Sequence, residues 1–273
     1  MHQSHHMKTI IAFAFCICTL SSYAQDRSFA RTYTSTVLPK GAIDLEFWHT
    51  SRFGHANQFF HAQDQRMELE FGLGKNLQTA FYFNRYQTRV SETANGTTTS
   101  NEIGFSNEWK YKLSDPSANK IGSALYFEAG LKGGDEVELE TKIILDKYVG
   151  KSLFAFNGVV EFEKEFEWKN NSVKSEGWAT PIEFDLAYLY NIKPTLGLGF
   201  EIVNKNEIAK NEGWKNSVLY AGPTLNFRGG KWFVIANYLP QLANVHKTIY
   251  SPGTKVLDEN ERAEARILLG ISL

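Results

Sequence analysis

From Gly41 to the last residue, apolar and polar positions alternate with period two, segment after segment. Period two sends successive side chains to opposite faces of an extended chain, so each segment predicts a strand with one apolar and one polar face. "AIDLEFWH" sets Ile43, Leu45 and Phe47 against Asp44 and Glu46, and "RMELEFGL" sets Met67, Leu69, Phe71 and Leu73 against Glu68 and Glu70. "EIGFSNEWKYKL" places Ile103, Phe105, Trp109, Tyr111 and Leu113 opposite Glu102, Glu108, Lys110 and Lys112. Continued to "RAEARILLGISL", the pattern predicts about twelve strands of roughly 9 to 13 residues, the length of strands that cross a bilayer at a tilt.

The connections alternate as well. Tight turns are predicted at Gly74-Lys75-Asn76, Val149-Gly150-Lys151, Ile192-Lys193-Pro194 and Arg228-Gly229-Gly230, with a slightly longer one over 114–120. Longer polar stretches fall between them, over 51–65, 88–101, 169–178, 204–216 and 242–261; only 133–136 is short where a long one is due. Short turns on one side and long loops on the other are the mark of a transmembrane barrel. In a soluble barrel the apolar face would point inward, with too little room for so many aromatic rings. In lipid it points outward, and closure of the sheet satisfies every backbone group. The predicted fold is therefore all-β: a transmembrane antiparallel up-and-down β-barrel of about 12 strands. A soluble periplasmic β-barrel that binds a ligand is the alternative that alternation alone leaves open.

The N-terminus reads differently. Met7 and Lys8 precede the apolar run "TIIAFAFCICTL" and the small-residue site Ser22-Tyr23-Ala24, which together read as a cleaved export signal. The run is too short for a membrane-spanning helix, which needs about 20 residues. The expected organisation is a leader and signal peptide over 1–24, an N-terminal periplasmic or plug segment over 25–40, and an outer-membrane barrel over 41–273. Both cysteines, Cys16 and Cys18, lie in the leader, so disulfide scaffolding and cysteine chemistry are excluded from the rest of the chain. The chain has 29 Lys and Arg against 30 Asp and Glu, and Lys8 is the one charged residue of the leader. Nothing in this near-neutral balance suggests a nucleic-acid partner, and none is expected.

On the residues "SSYAQ", "QDQRMELEFGLGKNLQTAFYFN" and "RAEARILLGISL", the chain resembles the outer-membrane β-barrel proteins of Gram-negative bacteria, particularly those of Bacteroidota. In the last strand Ile267, Leu269, Ile271 and Leu273 resemble the hydrophobic signal read by the barrel-insertion machinery, although Leu273 stands where an aromatic is common. The resemblance implies residence in the cell outer membrane, with lipid, lipopolysaccharide and the insertion machinery as partners.

Three constellations carry candidate chemistry. His49 and Ser51 share the face of Leu45 and Phe47, which points to lipid. This locally resembles outer-membrane phospholipase and lipid A deacylase, where such a pair cleaves an acyl ester and a third polar group orients the imidazole. Gln63, or Gln65 on the same face, would take the third place. A lipid-hydrolysing barrel is accordingly the alternative function, with His49, Ser51 and Gln63 as candidate catalytic residues. The bland reading is an interfacial His and Ser.

His49, His55, His61 and Asp64 could in principle hold a metal. Their six-residue spacing is wider than zinc sites on regular elements favour, so no metal and no cofactor is expected. The third constellation is the inward face, expected to line a lumen with Glu46, Glu68, Glu70, Glu102, Glu108, Lys110, Glu128, Glu140, Lys142, Glu163, Glu183, Asp185, Glu201, Arg262 and Arg266. Such a lumen favours small cations. Filled by paired side chains it would instead be closed, and a structural role would remain. Aromatic residues including Trp48, Tyr82, Trp109, Tyr111, Trp168, Tyr188, Tyr190, Trp232 and Tyr238 are expected at the membrane interfaces.

Overall fold

A computed structural model describes residues 27–92, 96–169, 172–209 and 213–273. The leader over 1–24 lies outside the described residues, as does the side chain of Trp168. Among the described residues every regular element is a strand: β1 (Ile43–Phe53), β2 (Phe60–Gly74), β3 (Leu77–Glu92), β4 (Gly96–Ser114), β5 (Gly122–Lys132), β6 (Glu136–Val149) and β7 (Ser152–Lys169). Next in the chain come β8 (Ser172–Ala179), β9 (Ile182–Lys193), β10 (Leu196–Ala209), β11 (Gly213–Gly229), β12 (Trp232–Asn244) and β13 (Ala263–Ser272).

Each strand pairs antiparallel with the next in sequence, except that β7 pairs with β9 along its inner half and with the short β8 along its outer end. β13 pairs with β1 from Asp44↔Ser272 to Phe53↔Ala263, which closes the sheet. Twelve strands thus form an up-and-down barrel with no open edge, and β8 is an outer appendage. Closure is the physical requirement: in hydrocarbon an unpaired strand edge costs several kcal/mol per group, and a closed ring has none.

The alternation sets the two faces. On β1, Asp44, Glu46, Trp48 and Thr50 are buried inside while Phe47 is 47% exposed outside; on β5, Ala124 and Tyr126 are inside while Leu125, Phe127 and Leu131 are outside. The outer wall is a belt of exposed Phe, Leu, Ile, Trp and Tyr. The tight turn after β2 has positive φ at Gly74, Lys75 and Asn76, a conformation that Gly and Asn adopt at low cost.

Two expectations change. The polar stretches 88–101, 169–178 and 204–216 are largely hairpin strand rather than loop: β3 and β4 pair up to Glu92↔Gly96, and β7 and β8 up to Lys169↔Ser172. The outward apolar alternation stops there, but backbone pairing does not depend on it and continues. Trp48 and Tyr82 are also not interfacial; both are buried inside, on the parity of Glu46 and Asn84.

The inner half of the barrel is filled by residues 27–38 of the segment 27–42, which is not a strand of the sheet; residues 39–41 are exposed, and Gly41 and Ala42 exchange backbone hydrogen bonds with Gly72 of β2. Backbone inside a closed barrel has no free strand edge to pair with, so over residues 28–38 inward side chains of the wall supply partners to the backbone. Glu201 accepts the N–H groups of Ala30 (3.2 Å), Arg31 (2.9 Å) and Thr32 (2.8 Å). Asn157 bonds both the N–H and the C=O of Tyr33 (2.7 and 3.0 Å), Asp146 accepts from Ser35 N–H and Oγ (3.2 and 2.6 Å), and Gln78 accepts from Leu38 N–H (2.8 Å). Asn226 and Arg266 donate to the carbonyls of Ser28 and Ala30. Apolar side chains complete the docking, with Phe29 packed among Leu153, Ala155, Ala187 and Leu189.

Candidate functional site

Above this segment the interior opens into a cavity of about 200 Å³. Arg31 and Tyr33 of the segment meet it from below; Trp48, Thr50, Asp64, Arg66, Asn84 and Tyr86 come from β1, β2 and β3, and Arg266 from β13. The facing wall is Glu128 on β5, Glu138, Glu140 and Lys142 on β6, Glu161 on β7, and Glu183 and Asp185 on β9. Seven carboxylates, Asp64 included, and four cationic groups therefore line the cavity.

The cations are held in place. Arg31 pairs with Glu183 (2.6 Å) and Glu264 (3.2 Å), Arg66 with Glu128 (3.2 Å), and Lys142 with Glu140 (3.0 Å). Arg266 donates from Nε to Thr50 Oγ1 (2.9 Å). Aromatic faces share the load: Arg66 lies over Tyr82 (4.2 Å) and Lys142 over Tyr33 (4.1 Å) and Tyr126 (4.6 Å). A cation on a desolvated ring face gains electrostatic stabilisation that solvent would otherwise provide. Deeper still, Arg27 sits over Tyr33 (3.5 Å) and Trp48 (4.5 Å), between Glu46 (3.8 Å) and Glu68 (3.7 Å).

Of the residues expected to line a lumen, Glu46, Glu68, Glu70, Glu108, Lys110, Glu128, Asp185 and Glu201 are buried inside, and Glu140, Lys142, Glu163, Glu183 and Arg266 are half-buried there. Glu102 and Arg262 are corrected. Glu102 has inward parity but stands where β4 has risen above the wall, exposed along with all its neighbours from Gly96 to Ile103. Arg262 is exposed just before β13, with its N–H bonded to the carbonyls of Phe53 and Gly54 at the rim. Glu201 serves the segment's backbone rather than an open passage. Sequence reasoning missed Arg31, Tyr33, Trp48, Arg66 and Tyr86 as cavity residues. Strand parity was the available signal for Trp48, Arg66 and Tyr86; Arg31 and Tyr33 lie in a segment without alternation.

The outward face holds the His–Ser pair. His49 Nε2 lies 3.2 Å from Ser51 Oγ, and Ser51 faces Gln63 across the β1–β2 ladder. Among the described residues Gln63 makes no hydrogen bond to either, and Gln65 accepts from Arg85 (3.0 Å). Beside the pair a depression of about 450 Å³ is bounded by Phe47, Met67, Phe83, Ile267 and Leu269 together with His49 and Arg85. The histidines do not converge. His55 stacks on Phe60 at 3.8 Å in the first outer loop, where burial lowers its pKa, and Asp64 pairs with Arg52 (3.0 Å).

Two carboxylate groups bring three oxygens within 4.8 Å of one another: Glu68, Glu70 and Glu108, and Glu136, Glu138 and Glu163. Both have resident partners. Gln78 donates to Glu70 (2.9 Å), Tyr82 to Glu108, and Lys132 bridges Glu136 (2.9 Å) and Glu138 (3.5 Å).

One family model matches residues 21–273 of this chain. The chain belongs to the family of unknown function DUF6662. No curated protein matches it. Among solved structures it is similar to the COG4313 outer membrane channel from Pseudomonas putida F1, at 14% identity over 87% of this chain and 97% of that one, with a TM-score of 0.58. It is also similar to the translocator domain of the autotransporter NalP from Neisseria meningitidis (9% identity, 84% and 87% covered, TM-score 0.59). The beta domain of the Bordetella autotransporter BrkA gives the same score (9% identity, 86% and 100% covered). At these identities the likeness is one of fold: the antiparallel barrel of outer-membrane proteins.

Proposed function

We propose that this chain is an integral outer-membrane barrel whose outer cavity admits small cations and whose segment 27–42 limits passage through the inner half. The observation that carries the reading is the excess of seven carboxylates over four cationic groups around the cavity. A low-dielectric wall focuses that charge, raising local cation concentration and repelling anions. The exposed apolar belt suits lipid and lipopolysaccharide as partners of the outer wall, and the outward Ile267, Leu269 and Ile271 of β13 suit recognition by the insertion machinery. Purified protein in planar bilayers under a salt gradient tests the reading. Small steps with a cation-selective reversal potential are expected; anion selectivity, or silence both in the parent and after Glu201→Ala, would refute it.

A second reading has one observation in its favour. The 3.2 Å contact between His49 and Ser51, beside an apolar depression on the lipid face, is the nucleophile–base geometry of acyl-ester cleavage. The imidazole lacks an orienting partner on its other nitrogen among the described residues, which places this reading second. Release of fatty acid from phospholipid vesicles that Ser51→Ala abolishes would establish it.

A further inference from the structure

The outer cavity holds a charge arrangement that the fold does not require. Register sets Glu128 opposite Glu140, Glu140 opposite Glu161, and Glu138 opposite Glu163. Like charges directly opposite destabilise a sheet, so such a run points to something beyond folding that offsets it. Two lysines answer part of it, Lys132 at Glu138 (3.5 Å) and Lys142 at Glu140 (3.0 Å). The carboxylate of Glu161 makes no hydrogen bond or ion pair among the described residues. Asp185, 2% exposed and lining the same cavity, has an Oδ1 with no hydrogen-bond partner.

We propose that this cavity binds a small aliphatic amine, of the diamine or polyamine class, with ammonium groups on Glu161 and Asp185 and methylenes against Tyr33, Trp48 and Tyr86. The carboxylates of this wall already hold organic cations of both kinds, the alkylammonium groups of Lys132 at Glu138 and Lys142 at Glu140 and the guanidinium groups of Arg31 at Glu183 and Arg66 at Glu128, and of these the unbranched alkylammonium is the one a small aliphatic amine reproduces. A divalent metal fits less well. Calcium needs about six to eight oxygens in one shell, whereas these two carboxylates lie on separate strands of a cavity with aromatic surface. The inference rests on the reading of the cavity as cation-favouring and names the class of cation.

The test is isothermal titration of full-length protein in detergent with putrescine and spermidine at constant ionic strength. Saturable binding is expected. Glu161→Gln and Asp185→Asn should each weaken it about tenfold or more, the loss of one charge-assisted bond. Glu259→Gln, on the exposed outer loop, should leave it unchanged. Because Glu161→Gln removes a like-charge pair, the variant should melt no lower than the parent, so lost binding is not lost folding. No saturable heat, unchanged binding in both cavity variants, or displacement of the amine by equimolar calcium chloride would overturn the proposal. Cation-selective conductance without amine binding would overturn the amine and leave the channel reading; amine binding to a barrel silent in bilayers would do the reverse.

Discussion

Glu201 offers the most direct measure of what holds the segment in the barrel. Its carboxylate is fully buried and accepts three consecutive backbone N–H groups, the Thr32 hydroxyl (3.2 Å) and Asn237 Nδ2 (2.9 Å). Glu201→Ala leaves the amides of Ala30, Arg31 and Thr32 without that acceptor. Hydrogen bonds to a charged acceptor contribute about 1.5–3 kcal/mol each, and water entering the vacated space offsets part of the loss. The docked state is then expected to weaken by about 3–6 kcal/mol, a roughly 10²- to 10⁴-fold rise in the released fraction. Glu201→Gln keeps one carbonyl acceptor without the charge and should cost about 1–2 kcal/mol. Protein beginning at residue 25 carries neither Cys16 nor Cys18, so Thr34→Cys becomes its single thiol. Thr34 is 3% exposed, and its alkylation rate by a maleimide therefore reports release of the segment. The rate should rise by about two orders of magnitude or more in Glu201→Ala, while heat-modifiable gel mobility shows the barrel intact. A rate within about threefold of the parent, in an intact barrel, would refute the argument that this carboxylate anchors the segment.

Two further outcomes are expected from local geometry. Gly72 on β2 passes so close to the segment that a Cβ there would lie against the carbonyl oxygens of Pro39 and Leu38; Gly72→Ala should lower stability by about 1–3 kcal/mol in urea unfolding and raise the Thr34→Cys labelling rate. In the turn after β4, Asp115 accepts the N–H groups of Ser117 (2.9 Å) and Ala118 (3.2 Å) and a bond from Lys112 (3.3 Å), which hold its pKa below the ordinary 3.8. A carboxyl lowered on folding contributes stability above its unfolded pKa and loses it as pH falls through the folded value. Protection of the Ser117 and Ala118 amides should therefore fade below about pH 4, and Asp115→Asn should flatten that dependence.

Which parts of this molecule were readable in advance depends on how each is encoded. The barrel class and the inward placement of Asp44, Glu46, Glu68 and Glu70 were readable because a strand between lipid and interior must alternate, and the alternation is local. Trp48 and Tyr82 were misplaced because an aromatic with a polar edge suits either an interface or a hydrogen-bonded interior; Trp48 donates to Glu46 (3.0 Å) and Tyr82 to Glu108. Strand ends were misjudged because backbone pairing does not need the alternation that lipid imposes. The His49–Ser51 contact was readable from a spacing of two, whereas the lack of contact with Gln63 depends on side-chain directions across the ladder.

By itself, then, the sequence determined a closed antiparallel barrel, its apolar outward face, its turns and the inward placement of most of its strand carboxylates, all of which are written in spacings of one to a few residues. Only the tertiary structure decided what each inward polar group is for. Glu201 and Ala30 are separated by 171 positions, and Arg31 and Glu264 by 233, so their pairing depends on the register of closure and on the path of an unalternating segment. The same closure divides the inward acids into those that clamp a backbone, those that neutralise an arginine, and the few, Glu161 and Asp185 among them, that line the cavity without a cation bonded to them among the described residues. Inside a barrel the wall is shared by strands far apart in sequence, and electrostatic partners are chosen by proximity in space rather than along the chain.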